Sequence, residues 1–169
     1  MNEDEDLDFK SISMLEQSKD KMFLQISNLT DSSNLYYLLE EKSRKKFFLK
    51  YYYTKQDIDI LISVIFQKSN KAEQESEFEE LFFLYFYLIL IIKYSIQANI
   101  YNIDTILLIN IDVLVKKTNE LAVFFKKEDK FKKIITEFQK KEDFLSLEPF
   151  DSVIIEKKNN KLTFVIQKG

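Results

Sequence analysis

The sequence predicts a mainly α-helical domain that ends in a β-hairpin, and three observations point to this fold. Apolar residues recur at helical spacing over most of the 169-residue chain, as in amphipathic helices. The only proline, Pro149, follows the last helical pattern, and prolines are common just beyond a helix end. The residues after it change to a strand-like pattern. We therefore expect a compact bundle of about five or six helices with a C-terminal hairpin.

Three parts of the chain are distinguished by composition. Residues 1–10 form a predicted acidic tail, residues 11–150 the helical domain, and residues 151–169 the hairpin. The tail is expected to be a solvated, frayed end, although its acids could also dock on a basic partner surface. An isolated hairpin is only marginally stable in water, so we expect this one to pack on the helices.

Helices are predicted over residues 11–29 and 34–48, followed by an element over residues 58–67 that fits two patterns. Thr54 or Asp57 can cap a helix there, because short polar side chains accept hydrogen bonds from the first helical N–H groups. The same residues also alternate between apolar and polar, which fits a strand. We favour the helix because no turn residues bound the run.

The most apolar stretch is residues 81–92, which are twelve uncharged aliphatic or aromatic residues. A membrane-spanning helix needs about 20 such residues, and Glu80 and Lys93 close this stretch too early. A helix that is apolar on all sides belongs in the middle of a bundle. We therefore predict the central helix here, with an interfacial membrane role as the alternative.

The next apolar stretch, residues 103–117, again fits two patterns. Asp104 could cap a helix in it, whereas residues 109–115 alternate as a strand would. Residues 121–127 and 130–140 look helical. The second of these places four apolar residues on one face: Phe131, Ile134, Ile135 and Phe138.

The C-terminal hairpin is predicted from two β-rich runs, residues 153–158 and 161–166, which flank Asn159 and Asn160. Asparagine tolerates the left-handed conformation that tight hairpin turns require. A two-residue turn fixes the register and places two apolar pairs on one face: Ile155 with Phe164, and Val153 with Ile166.

Missing residue types exclude most catalytic machinery. The only glycine is Gly169, so the chain has no glycine-rich phosphate loop, dinucleotide fingerprint or nucleophile elbow. Without His or Cys it has no imidazole base, no thiolate nucleophile and no usual structural zinc site. The carboxylate pairs Asp57 with Asp59 and Glu77 with Glu80 are most simply solvent-facing charges. We expect no enzymatic activity, no cofactor and no metal site.

Composition also suggests where the protein is located. Zero cysteines suit a reducing compartment, and no apolar segment follows the acidic N-terminal residues. We expect a cytoplasmic or nuclear protein with no membrane span. Lysine almost replaces arginine, of which Arg44 is the only one, and this bias is typical of an AT-rich genome.

A basic and aromatic stretch over residues 42–55 is the predicted partner-binding surface. Three consecutive tyrosines cannot all face a helical core, and exposed aromatic residues are enriched in protein interfaces. We therefore expect a protein-interaction subunit or accessory factor of a larger assembly. The alternative is an amphipathic helix that buries its aromatic residues. The predicted binding residues are Lys42, Arg44, Lys45, Lys46, Lys50, Tyr51, Tyr52 and Tyr53.

Nucleic acid is the alternative partner, and RNA is favoured over DNA. Residues 116–141 contain nine lysines, opposed by six acids within or just beyond them. Together with residues 42–55 they could form a phosphate-binding surface on RNA or a ribosome. The net charge of −3 argues against this, because nucleic-acid-binding domains are usually strongly basic.

The order of elements from Asn119 to Val165 resembles a winged-helix module. Glu120-Leu121-Ala122, then residues 134–138, then residues 153–164 follow the order helix, helix, hairpin. It is similar to the end of PCI-domain proteins, in which helical repeats precede a winged helix. The resemblance implies a scaffold subunit of a complex such as the proteasome lid, the signalosome or a translation initiation complex. The chain departs from the family by lacking the usual wing glycine and by its long link over residues 145–151.

Overall fold

The computed structural model describes residues 54–169, which are mainly helical and end in an antiparallel hairpin, as the sequence predicts. The predicted tail over residues 1–10 and the predicted helices over residues 11–29 and 34–48 lie outside the described residues. Five α-helices precede the hairpin within residues 54–169: α1 Lys55–Gln74, α2 Phe78–Gln97, α3 Ile103–Leu107, α4 Ile111–Phe125 and α5 Asp129–Lys141. A 3-10 turn, Asp143–Ser146, leads to β1 Ser152–Lys158 and β2 Lys161–Gln167.

The first ambiguous run, residues 58–67, is helical and belongs to α1. Both candidate capping residues contribute to its start. Thr54 Oγ1 accepts the Asp57 N–H at 3.1 Å, and Asp57 Oδ2 accepts the Thr54 N–H at 3.2 Å. This reciprocal capping box satisfies two N–H groups that a helix start would otherwise leave unpaired.

The second ambiguous run, residues 109–115, is also helical from Ile111 onward. Its cap is Asn110, whose side chain accepts the Val113 N–H at 3.2 Å. Asp104, the capping residue considered from the sequence, instead lies in the first turn of the short helix α3. The prediction of a separate helix over residues 121–127 is wrong, because α4 runs without a break from Ile111 to Phe125.

The prediction of a central helix over residues 81–92 is confirmed, because every one of these residues is buried within α2. α1 and α4 pack against it. Among the described residues, no helix combines the length and the apolar character needed to cross a bilayer.

Aromatic side chains fill much of the core around α2. Phe86 is fully buried and stacks on Phe138 of α5, with ring centroids 3.8 Å apart. Phe82 meets Phe125 of α4 edge to face at 6.2 Å. The predicted apolar face of α5 is confirmed, since all four of its residues are buried: Phe131, Ile134, Ile135 and Phe138.

The hairpin has the predicted register, with Val153 opposite Ile166 and Ile155 opposite Phe164. Asn159 and Asn160 form the turn with φ values of 52° and 60°. These values match the left-handed conformation that the sequence argument assigned to them.

Side-chain hydrogen bonds attach the hairpin to the helices. The Asp112 carboxylate accepts the Val153 N–H at 3.0 Å, and the Tyr101 hydroxyl accepts the Leu162 N–H at 3.0 Å. At the hairpin ends, buried Asp151 accepts the Gly169 N–H at 3.0 Å and pairs with Lys168 at 3.1 Å. The hairpin is therefore held to α4 and to the link between α2 and α3 by specific contacts as well as by apolar burial.

Candidate protein-docking groove

The partner-binding residues predicted from the sequence cannot be placed, because all eight lie outside the described residues. They are Lys42, Arg44, Lys45, Lys46, Lys50, Tyr51, Tyr52 and Tyr53. Within residues 54–169, the strongest candidate surface is a different one, formed where α1, α2 and α4 meet.

Two adjoining depressions make up this surface, which we call the docking groove. One has a volume of about 570 Å³ and the other about 420 Å³, and Phe78 and Phe124 line both. The first is lined by Ser76, Glu77, Phe78, Glu79, Glu80, Phe83, Phe124 and Phe125. The second is lined by Glu73, Phe78, Leu81, Tyr85, Lys117, Glu120, Leu121 and Phe124.

The turn between α1 and α2 positions Phe78 at the groove. Ser76 adopts a φ of 55°, the Ser76 N–H donates to the Glu73 carbonyl, and the Glu77 N–H donates to the Ala72 carbonyl. These two bonds are those of a Schellman motif, which closes α1 with a left-handed residue. Because α2 begins immediately afterwards, Phe78 is held at its first position, with 45% of its surface exposed.

Phe124 approaches the groove from the opposite side. It is the penultimate residue of α4 and is 61% exposed, whereas its neighbour Phe125 is buried. The two rings meet edge to face with centroids 5.0 Å apart. One ring therefore anchors α4 in the core while the other remains at the surface.

Carboxylates dominate the charge of the docking groove. Its described lining contains five glutamates and one lysine, Lys117. Glu79 and Glu80 lie in the first turn of α2, where the positive end of the helix dipole favours negative charge. The glutamates are Glu73, Glu77, Glu79, Glu80 and Glu120.

Tyr85 lies in the same groove and is a hydrogen-bond donor. Its hydroxyl donates to Glu73 Oε2 at 3.3 Å. Burial, followed by the adjacent Glu73 carboxylate, raises the pKa of Tyr85 to about 12. The phenol therefore stays protonated at neutral pH and cannot serve as a base there.

A third depression, of about 500 Å³, lies on the other side of α4 against the link that precedes the hairpin. Glu120 lines it as well as the docking groove, and Val123 there is exposed. Leu147 and Pro149 supply apolar surface from the link. The outer face of α4 is thus bordered by partly apolar depressions on both sides.

The carboxylate pairs considered from the sequence have separate environments. Asp57 belongs to the capping box of α1, and Asp59 accepts a hydrogen bond from the Asn102 side-chain amide. Glu77 and Glu80 do line one depression. Within residues 54–169, no cluster of three or more carboxylate, His or Cys residues is arranged to hold a metal ion.

The lysines of residues 116–141 have mixed surroundings. Lys116 pairs with Asp112 at 3.0 Å, and Lys140 pairs with Glu137 at 3.5 Å. Lys117 lines the docking groove among glutamates. Lys132 and Lys133, by contrast, are exposed on α5.

Phe78 and Phe124 were not predicted as functional residues from the sequence. Phe78 is a large apolar residue within the glutamate-rich residues 73–80, which are otherwise mostly polar. Its position there was a detectable sign of a role outside the core. For Phe124, the sign was its adjacency to Phe125. Neighbouring residues of a helix point about 100° apart, so one of two adjacent phenylalanines can face the core while the other faces solvent.

Comparison with known proteins adds no functional assignment: no family model, no curated protein and no solved structure matches the chain. The resemblance to a winged helix therefore stays a prediction. The described residues do have the order α4, α5, hairpin.

Proposed function

We propose that the protein is a non-enzymatic subunit or accessory factor of a larger intracellular assembly, and that it binds a protein partner through the docking groove. The observation that carries this proposal is the exposure of Phe78 and Phe124 at a concave surface. Exposed aromatic side chains at a groove are typical of protein interfaces, since they supply large contact areas at low entropic cost.

Contrast with the core supports a binding role for these two residues. Phe82, Phe86 and Phe138 are fully buried, so the fold does bury most of the phenylalanines in the described part of the chain. Phe78 and Phe124 contribute less to the core and are available to a partner. The sequence contains no His and no Cys, so it has no imidazole base and no thiolate nucleophile, which also favours binding over catalysis.

Size fractionation of gently lysed source cells tests the proposal. The wild-type protein should migrate in a large particle that survives nuclease treatment, and the double variant Phe78→Ala/Phe124→Ala should migrate near 20.3 kDa. Leu108→Ala is the matched control, because Leu108 is 88% exposed and lines none of the three depressions. Wild-type protein that migrates alone near 20.3 kDa would contradict the proposal.

RNA or ribosome binding is the second candidate function, and the exposed lysines of α5 favour it. Lys132 and Lys133 lie on the solvent side of α5, where they can reach phosphates. Binding of the full chain to total RNA over a salt series would test this. Steep loss of binding with salt, reduced by Lys132→Glu/Lys133→Glu, would support it, and no binding at low salt would exclude it.

A scaffold role of the PCI type is a more specific form of the first proposal. Its support is the order of two helices and a hairpin at the C-terminus. The fractionation experiment also bears on it, because mass spectrometry of the co-migrating proteins identifies the assembly. A cytoplasmic or nuclear location belongs to the same proposal.

A further inference from the structure

We infer that the docking groove receives an amphipathic helix of a partner protein, with apolar anchors on one face and Lys or Arg beside them. This inference rests on the proposed function, and it specifies the chemistry of the partner. Three features of the groove lead to it: its apolar floor, the sign of its charges and the kind of element that lines it.

The floor provides apolar contact area at the centre of the groove. Phe83 and Leu81 of α2 are nearly fully buried beneath it, and Leu121 of α4 is half-buried. Phe78 and Phe124 lie at the border between the two depressions, because both residues line each of them. Apolar or aromatic anchors that enter such pockets provide most of the binding energy of typical interfaces.

The charges select a basic partner. Five glutamates and a single lysine give the described lining a formal charge of −4, counted as 1 − 5 at neutral pH. Complementary potentials raise the rate of association and disfavour wrongly charged partners. Lysine or arginine next to the apolar anchors would be attracted by this net negative charge, whereas an acidic peptide would be repelled.

The secondary structure of the lining selects a helix over an extended strand. Residues from α1, α2 and α4 and the turn between the first two form the groove, and neither strand of the hairpin lines it. An extended peptide would need a sheet edge to satisfy its backbone N–H and C=O groups, as in strand addition. A helix satisfies these groups internally and presents anchors at i, i+3 or i+4 and i+7 spacing.

A displayed library of random 16-residue peptides, selected on the full chain and counter-selected on Phe78→Ala/Phe124→Ala, tests the inference. We expect enriched peptides to combine helical spacing of Leu, Phe or Trp with Lys or Arg. Their affinity should fall by about fivefold in Glu77→Gln/Glu120→Gln, and it should fall with added salt. Glu156→Gln is the control, since Glu156 is exposed on β1 and lies outside the groove.

Two results would overturn the inference in different ways. Enriched peptides that are acidic, or whose affinity is unchanged in Glu77→Gln/Glu120→Gln, would show the partner chemistry to be wrong while leaving the groove as a docking site. If no peptide is enriched on the full chain over the Phe78→Ala/Phe124→Ala variant, the groove is not a docking site. The fractionation experiment would still decide separately whether the protein belongs to an assembly.

Discussion

Replacing Phe86 by alanine should produce one of the largest losses of stability available in this fold. Phe86 is fully buried at the centre of α2, stacked on Phe138 at 3.8 Å and close to Phe144 at 5.7 Å. Truncating a buried phenylalanine costs about 3–5 kcal/mol, because apolar contacts are lost and a cavity remains. The broken ring pair places Phe86→Ala in that range, at about 4 kcal/mol. Phe86→Leu keeps most of the volume and should cost about 1 kcal/mol.

The matched variant is Phe124→Ala, which removes the same ring from the docking groove. Because Phe124 is 61% exposed, its truncation should change the free energy of unfolding by no more than about 0.5 kcal/mol. Urea unfolding of the full chain, followed by circular dichroism, gives both values by linear extrapolation. The reasoning would be refuted if Phe86→Ala cost less than about 1 kcal/mol, or if Phe124→Ala destabilised the protein as much as Phe86→Ala.

Three further predictions concern the ends of elements and can be checked by the same unfolding assay. Thr54→Ala removes half of the capping box and should cost about 1 kcal/mol; an unchanged midpoint would show that the cap contributes nothing. Ser76→Gly relieves a left-handed serine and should gain about 0.5 kcal/mol; a loss would indicate that the Ser76 side chain has a stabilising role. The Val153 N–H lowers the pKa of Asp112, and the Gly169 N–H lowers that of Asp151. Their stabilising contribution should be complete above the ordinary carboxyl pKa and lost as the pH falls below it, through the lowered pKa of the folded state, because protonation then favours the unfolded state. Asp112→Asn should flatten this part of the stability profile, and an unaltered profile would contradict the assignment.

Hydrophobic patterning identified the central helix and the hairpin correctly. Residues 81–92 are apolar on every side, and such a helix is stable only when neighbours surround it. The hairpin register followed from the Asn159-Asn160 turn, because a two-residue loop places Val153 opposite Ile166 and Ile155 opposite Phe164.

Patterning alone did not separate helix from strand over residues 58–67 and 109–115. Both runs alternate between apolar and less apolar residues, yet both are helical. Tertiary contacts with α2 bury Ile58, Leu61 and Ile65 of α1, whose spacing of three and four is that of a helix. The strand-like alternation arose because the intervening positions Ile60, Ile62, Val64 and Phe66 are also apolar, and Ile62 and Val64 are buried as well.

The scarcity of glycine did not prevent tight turns. Outside the hairpin, Ser76 and Asn99 adopt positive φ values of 55° and 56° and close α1 and α2. A non-glycine residue in this conformation costs about 1–2 kcal/mol. The hydrogen bonds that close the two helices offset this cost. The use of polar residues at these positive φ values could not be deduced from composition, which shows only that the chain has a single glycine, Gly169.

The docking groove was not predictable because it depends on tertiary arrangement. Phe78 and Phe124 are separated by 46 positions in the chain, and only the contact of α2 with α4 brings them to one surface. The sequence instead directed attention to residues 42–55, where basic and aromatic residues are contiguous. A run of neighbouring basic and aromatic residues can be recognised in the sequence. A groove formed by residues from three helices can be recognised only once the fold is known.

Site-specific photo-crosslinking in source cells would show whether the docking groove contacts a protein partner. A photoreactive phenylalanine analogue would replace Phe124 in one variant and Leu108 in a control variant, and the linked peptides would be identified by mass spectrometry. We predict that position 124, and not position 108, links to one protein through a helical segment with Lys or Arg beside apolar anchors. Equal labelling from both positions, or labelling of nucleic acid from position 124, would contradict the proposal that the docking groove binds a protein.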